Sequence, residues 1–207
     1  MITIVDYKAG NLTSVRLAFE HLGVPARISD DPELVRTAER VVFPGVGAAA
    51  AAMDTLGRWD LVESLRIAAG RGVPFLGICL GTQIILDRSE EDDGVPCVGL
   101  IPGAVRRFQF DDPRVKVPHM GWNAVNRLRP HPVFDGIADG SEFYFVHSYF
   151  PDPADPADRL AMTEYGGVTF TSVLARRNIV ATQFHPEKSG RIGLKLLENF
   201  SRWNGTC

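Results

Sequence analysis

Val73-Pro74-Phe75-Leu76-Gly77-Ile78-Cys79-Leu80-Gly81-Thr82-Gln83-Ile84-Ile85-Leu86 passes from a short apolar run through a Gly-x-Cys-x-Gly turn into a helix-compatible segment. Val73 to Leu76 reads as a buried strand, and the glycines flanking Cys79 allow the sharp strand-to-helix turn of a nucleophile elbow, with cysteine in place of serine. Such a turn lifts the thiol out of the sheet and aims the amides of the following helix at it, which favours the thiolate and readies donors for an oxyanion. A parallel α/β sheet is the fold in which this element belongs.

The chain upstream agrees. Ile2 to Val5 reads as a strand, and Leu12, Val15, Phe19 and Leu22 mark one face of a helix closed by Gly23. Ala26 to Ser29 makes a second strand, after which Asp31-Pro32-Glu33 supplies an N-cap, a proline suited to the first helical position and a first-turn acid. Val41 to Phe43 is a third strand, and Ala48 to Leu56 and Leu61 to Ala69 read as helices. Strands alternating with helices imply a mostly parallel sheet covered on both faces.

Downstream the pattern changes. Val105 to Phe110, Phe143 to Phe150, Thr169 to Ala175 and Ile179 to Phe184 read as strands separated by loops, which predicts antiparallel additions. Arg176-Arg177-Asn178 suits a hairpin connection, and Gly190 to Trp203 closes the chain as a helix with Ile192, Leu196, Phe200 and Trp203 on one side. Ser89 to Gly94 and Pro151 to Asp158 read as solvated surface loops.

No repeat or linker divides the 207 residues, so residues 1–207 are expected to form one domain. With 45% hydrophobic residues, 23% charged residues and a net charge of −3, the chain is an ordinary globular one with no field to gather phosphates, which argues against a nucleic-acid partner. Cys79, Cys97 and Cys207 are too few and too scattered for a disulfide framework, and the amino terminus carries neither a secretory signal nor a run long enough to span a bilayer. A reducing cytoplasm is the expected compartment. Cys97 and Cys207 are read as incidental, and His119, His131 and His147 lack metal-ligand spacing.

The elbow has a distant counterpart. Gln183-Phe184-His185-Pro186-Glu187 leaves a predicted strand, and Pro186 biases His185 toward extended backbone, so that Glu187 can accept from one imidazole nitrogen while the other faces a nucleophile. Cys79, His185 and Glu187 therefore fit a cysteine-nucleophile triad: histidine deprotonates the thiol and later protonates the leaving amine, and the carboxylate fixes its tautomer. Pro44-Gly45-Val46-Gly47 follows the third strand at the same sheet edge, and its glycines permit backbone conformations that aim amides into a site.

With these runs the sequence resembles the class I (triad) glutamine amidotransferases and, within them, the glutaminase subunits of imidazole glycerol phosphate synthase. The resemblance spans nearly the whole chain. It also rests on Val5-Asp6-Tyr7 with Gly10-Asn11-Leu12, on Val117-Pro118-His119-Met120-Gly121-Trp122-Asn123, on Tyr144-Phe145-Val146-His147-Ser148-Tyr149, and on the extension of the His-Pro-Glu run by Lys188-Ser189.

The resemblance implies a three-layer α/β fold with a mostly parallel central sheet and antiparallel additions. It makes Cys79 the nucleophile, His185 the base and Glu187 its orienter, with the Leu80 amide and the Gly45-Val46-Gly47 strand as oxyanion hole. Gln83, with Ser148 and Tyr149, would hold the α-amino and carboxylate groups of L-glutamine. Asn11, Trp122, Tyr144 and Lys188 would meet a cyclase subunit, the implied partner in a heterodimer that makes imidazole glycerol phosphate for histidine biosynthesis. No metal or cofactor is implied. Lys8, Ala48 and Thr82 depart from the family's usual glycine, aromatic and methionine without removing a catalytic group.

Three other readings remain open: a free-standing cysteine hydrolase, such as a peptidase or γ-glutamyl hydrolase, a catalytically silent binding subunit, and the glutaminase subunit of another amidotransferase. The partner-facing runs argue against the first, and the intact Cys79, His185 and Glu187 against the second.

Overall fold

The computed structural model describes residues 1–8 and 10–206; Cys207 lies outside the described residues. The first part of the chain runs β1 (Ile2–Val5), α1 (Leu12–His21), β2 (Ala26–Ser29), α2 (Pro32–Arg36), β3 (Arg40–Gly45), α3 (Ala49–Arg58), α4 (Leu61–Gly70), β4 (Phe75–Cys79) and α5 (Leu80–Ile84). Asp31 caps α2 as its sequence predicts, its carboxylate accepting from the Glu33 amide at 2.8 Å with Pro32 behind it.

The second part contributes β5 (Arg88–Ser89), β6 (Val95–Pro96), β7 (Gly103–Arg107), β8 (His119–Arg127), β9 (Ser141–His147), β10 (Tyr149–Pro153), β11 (Arg159–Tyr165), β12 (Val168–Arg176), β13 (Ile179–Thr182) and α6 (Gly190–Arg202). A nine-stranded sheet has the order β2-β1-β3-β4-β13-β12-β11-β8-β9. The strands from β2 to β13 in that order are parallel, and those from β13 to β9 pair antiparallel. The chain reverses its direction of strand addition between β1 and β3, and in open α/β sheets ligands bind beyond the carboxyl ends of strands near such a point.

Period-2 alternation divides the parallel strands between two cores. Ile2, Ile4, Val42, Leu76, Ile78 and Val180 pack with Val15, Phe19, Leu196 and Phe200 of α1 and α6. Val5, Val41, Phe43, Phe75 and Ala181 face the other way, against Val35, Leu56, Leu65 and Ile84 of α2 to α5. Helices on both faces of one sheet are the three layers expected, and they explain why β4 is buried at every position.

Several local expectations change. The strand read at Val73 to Leu76 lies further along, at Phe75–Cys79, because Pro74 has no N–H for the ladder and serves through its carbonyl, which accepts from the Val41 amide at 2.9 Å. The run Phe143 to Phe150 is two strands: β9 pairs with β8 in the large sheet, whereas β10 pairs with β7 in a second sheet of order β10-β7-β5-β6. The segments read as solvated loops are partly structural. Ser89 is buried in β5, Pro151 and Pro153 are buried in β10, and the buried Asp158 pairs with Arg176 at 2.8 Å.

Candidate active site

Cys79 closes β4 with φ 52° and ψ −108°, a backbone conformation that costs a non-glycine residue on the order of 1–3 kcal/mol. The neighbouring glycines allow it for different reasons. A side chain at Gly81 would lie 1.8 Å from the Phe43 carbonyl oxygen, and one at Gly77 would lie 2.9 Å from the Ala181 side chain. The turn is therefore pressed between β3 and β13, and Thr82 fastens it by donating to the Thr182 carbonyl at 2.6 Å.

β3 runs beside β4 with Gly45 opposite Cys79. Gly45 is needed for close approach, since a Cβ there would sit 1.7 Å from the Tyr7 hydroxyl; Gly47, at φ 100°, needs the freedom that only glycine has. Val46 and Gly47 reach the rim of a cavity of about 360 Å³ that is also lined by Cys79, Leu80, Gln83, Ser148, Tyr149 and His185. Of the residues expected at the oxyanion hole and substrate wall, Val46, Gly47, Leu80, Gln83, Ser148 and Tyr149 thus lie around one opening, whereas Gly45 sits behind it against Tyr7.

His185 follows β13, neighbour of β4, and has the extended backbone predicted from Pro186, at φ −100° and ψ 95°. Glu187 reaches it differently from the expected strand alternation. Residues Pro186–Lys188 form a 3-10 turn, which folds the Glu187 carboxylate back onto His185 Nδ1 at 2.8 Å. Both side chains are buried, and Asn11 donates to the same Glu187 oxygen at 2.6 Å. Ser189 anchors the turn: its hydroxyl donates to the His185 carbonyl at 2.6 Å and accepts from the Tyr144 amide at 3.0 Å. Gly193 of α6 lets that helix approach, because a side chain there would meet the Pro186 carbonyl at 1.9 Å.

His185 Nε2 is buried and makes no hydrogen bond of ordinary geometry. Burial disfavours the imidazolium, but the pull of Cys79 and then of Glu187 outweighs it and raises the His185 pKa to about 10. The sulfur is flanked by the Val146 carbonyl at 4.0 Å and by the Gln183 side-chain amide, which donates toward it at 3.8 Å. Gln83 donates to the Tyr149 carbonyl at 2.9 Å and to Gln183 Oε1 at 3.0 Å.

Glu91 belongs to residues 89–94, whose acidic composition is that of a surface loop. Its carboxylate lines the cavity and accepts from the Ala49 amide at 2.7 Å, and burial raises its pKa. No motif marks it. Only the packing of its short 3-10 turn, Glu91–Asp93, near the start of α3 brings it to the cavity.

Of the residues expected at a partner face, Trp122 is 54% exposed and meets Tyr144 edge-on at a centroid distance of 6.2 Å, with Lys188 also exposed. Asn11 is half-buried and turned onto Glu187. Among the described residues no cluster has the makeup of a metal site, and no helix is long and apolar enough to cross a membrane. Cys79 and Cys97 are free thiols, the latter pushed up to about 11 by burial.

Residues 3–202 match the family model for glutamine amidotransferase class-I. The imidazole glycerol phosphate synthase subunit HisH of Desulfovibrio desulfuricans is 52% identical over 97% of this chain and 93% of that protein, and the HisH subunit of Nitrosococcus oceani is 48% identical over 99% and 98%. Among solved structures, a glutamine amidotransferase superposes with a TM-score of 0.72 at 16% identity, covering 98% of both chains. PurLQS from Thermotoga maritima superposes with a TM-score of 0.69 at 17% identity, covering 97% of each. The chain belongs to the class-I glutamine amidotransferases and, within them, to the family of imidazole glycerol phosphate synthase subunit HisH.

Proposed function

We propose that this chain hydrolyses L-glutamine through a Cys79–His185–Glu187 triad and delivers the ammonia to a cyclase subunit, with which it forms a heterodimer that makes imidazole glycerol phosphate. The observation that carries the catalytic reading is His185 itself. Its Nδ1 is committed to a buried carboxylate and its Nε2 is left free beside a thiol on a strained turn. That arrangement suits a base which takes the thiol proton and returns it to a leaving amine.

In this reading the Cys79 sulfur attacks the side-chain amide carbon of glutamine. The resulting oxyanion is met by the Leu80 amide and by an amide from the Gly45-Val46-Gly47 strand. As the tetrahedral adduct collapses, the C–N bond breaks, His185 protonates the departing nitrogen, and ammonia leaves a γ-glutamyl thioester. Water, deprotonated by His185, then attacks the thioester, and glutamate departs as the thiol is restored. The Glu91 carboxylate suits the substrate's α-ammonium group, while Gln83, Ser148 and Tyr149 supply the polar wall beside it.

Ammonia in neutral water is mostly protonated and poorly nucleophilic, so a protected transfer to a partner is required. Trp122, Tyr144 and Lys188 form the face proposed to receive that partner, with the reactions taking place in the cytoplasm. The test is glutamate release by the purified chain with and without the cyclase subunit and its acceptor substrate. Cys79→Ala should abolish release while leaving an ammonium-fed cyclase active; release by that variant would remove Cys79 from the mechanism.

A further inference from the structure

His119 and His147 lie outside the triad, and the sequence gives them no role. His119 leads β8 and His147 ends β9, where they face each other in the register His119↔His147. Both rings are buried, among Phe108, Phe145 and Phe170.

The hydrogen bonds fix both tautomers. His147 Nδ1 lies 2.8 Å from the Tyr149 carbonyl, which can only accept, so Nδ1 carries the proton and Nε2 is an acceptor. His119 Nδ1 lies 2.9 Å from that Nε2 and must therefore be the donor. His119 Nε2 is left to accept, and Asn123 Nδ2 faces it at 3.3 Å. Every link points the same way, from β8 toward the Tyr149 carbonyl. Burial lowers both pKa values, to about 4 for His119 and about 3 for His147, so both rings are neutral at pH 7.

The same logic runs on beyond the carbonyl. Because Tyr149 O only accepts, Gln83 must present its NH2 group there; that group also donates to Gln183 Oε1, which turns the Gln183 NH2 toward the Cys79 sulfur. A reversed amide at Gln83 would place acceptor against acceptor at the Tyr149 carbonyl, and one at Gln183 would place donor against donor at Gln83.

We propose that His119 and His147 are positioning residues, a hydrogen-bond relay that pins the Tyr149 carbonyl in place, so that this carbonyl in turn holds Gln83 and Gln183 in the orientation that gives the Cys79 sulfur a donor. The relay begins on the inward face of β8, at His119 and Asn123, while Met120 and Trp122 on the opposite face of the strand are exposed.

The relay is assigned to the thiol itself, and its link to glutamine turnover rests on the proposed function. Substitution at His119 tests it without altering a cavity-lining residue. His119→Phe preserves the aromatic packing and removes the donor; His119→Asn places an amide near the position of Nδ1 and sacrifices packing. Alkylation of Cys79 by iodoacetamide, followed by mass spectrometry as a function of pH, should be slowed about tenfold at neutral pH by His119→Phe, the effect of one hydrogen bond, and recover most of its rate in His119→Asn. A packing role predicts the reverse order, and that order, or a His119→Phe protein indistinguishable from wild type, overturns the relay. Nitrogen-15 NMR of the wild-type histidines supplies a second reading independent of any variant. Both rings should carry their proton on Nδ1 at neutral pH, and an Nε2 proton on either refutes the proposal. Glutamate assays with the cyclase run beside these: their failure in wild type would end the glutaminase reading and leave the thiol measurements standing.

Discussion

Asn11 and His185 donate to a single oxygen of Glu187, at 2.6 Å and 2.8 Å, while the other carboxylate oxygen is buried without a partner. The residue that opens α1 therefore shares the charge that orients His185. Asn11→Asp places a second carboxylate at this distance, where two negative charges cannot coexist and one group takes up a proton. Its kcat for glutamine should fall well below that of Asn11→Ala, which removes a donor without adding a charge. Equal values for the two variants would mean that Asn11 does not act through Glu187.

The elbow glycines should differ in cost. Gly81→Ala drives a methyl group into the Phe43 backbone carbonyl at 1.8 Å, whereas Gly77→Ala meets the Ala181 side chain at 2.9 Å, a smaller overlap that β4 and β13 must still yield to. Urea unfolding should show a loss above about 3 kcal/mol for Gly81→Ala and about 1–2 kcal/mol for Gly77→Ala, following the cost of overpacking a dense core.

Tyr7 should be improvable. Its hydroxyl is buried against Gly45 with no hydrogen-bond partner, and burial, then the nearby Cys79, keeps the phenol neutral. Tyr7→Phe removes an unsatisfied polar group and preserves the ring contact with Phe43, so the variant should gain about 1 kcal/mol in denaturant unfolding.

Acid should destabilise the protein over a defined window. Burial holds His119, His131 and His147 at about 4, 4 and 3, below the ordinary 6.5, so the unfolded chain binds protons that the folded chain refuses. Stability then falls as pH drops from about 6.5 toward those values, by up to about 1.4 kcal/mol per pH unit for each ring. His185 has the opposite sign: raised to about 10, its contribution is complete below 6.5 and lost as pH rises through 10. His131→Asn keeps an acceptor for the Val133 amide, removes the unpartnered Nε2, and should flatten the acid slope by about one proton.

Lys188 tests the partner face. It is exposed, so Lys188→Ala should leave thermal stability unchanged while weakening stimulation of glutamate release by the cyclase, about tenfold if the charge meets a partner carboxylate. Equal losses of basal and stimulated activity would count against an interface role.

Local sequence determined the elements whose signals are themselves local. Asp31 before Pro32 writes a helix start, the flanking glycines of Cys79 write an elbow, and Pro186 writes an extended His185; each depends on the sterics of a few adjacent residues. The resemblance extended this legibility to Gln83, Ser148 and Tyr149. Tertiary structure decided the rest. β8 was hidden by Gly121 and by polar residues that point to a neighbouring strand, and the break at Ser148 separates two strands whose difference lies only in their partners, β8 and β7. Glu91 enters the cavity, Asn11 reaches Glu187 across 176 positions, and His119 meets His147 because the folded sheet brings them within bonding distance. Backbone sterics act between neighbours and leave a mark on the sequence, whereas burial and hydrogen-bond direction depend on distant partners that no single stretch of chain specifies.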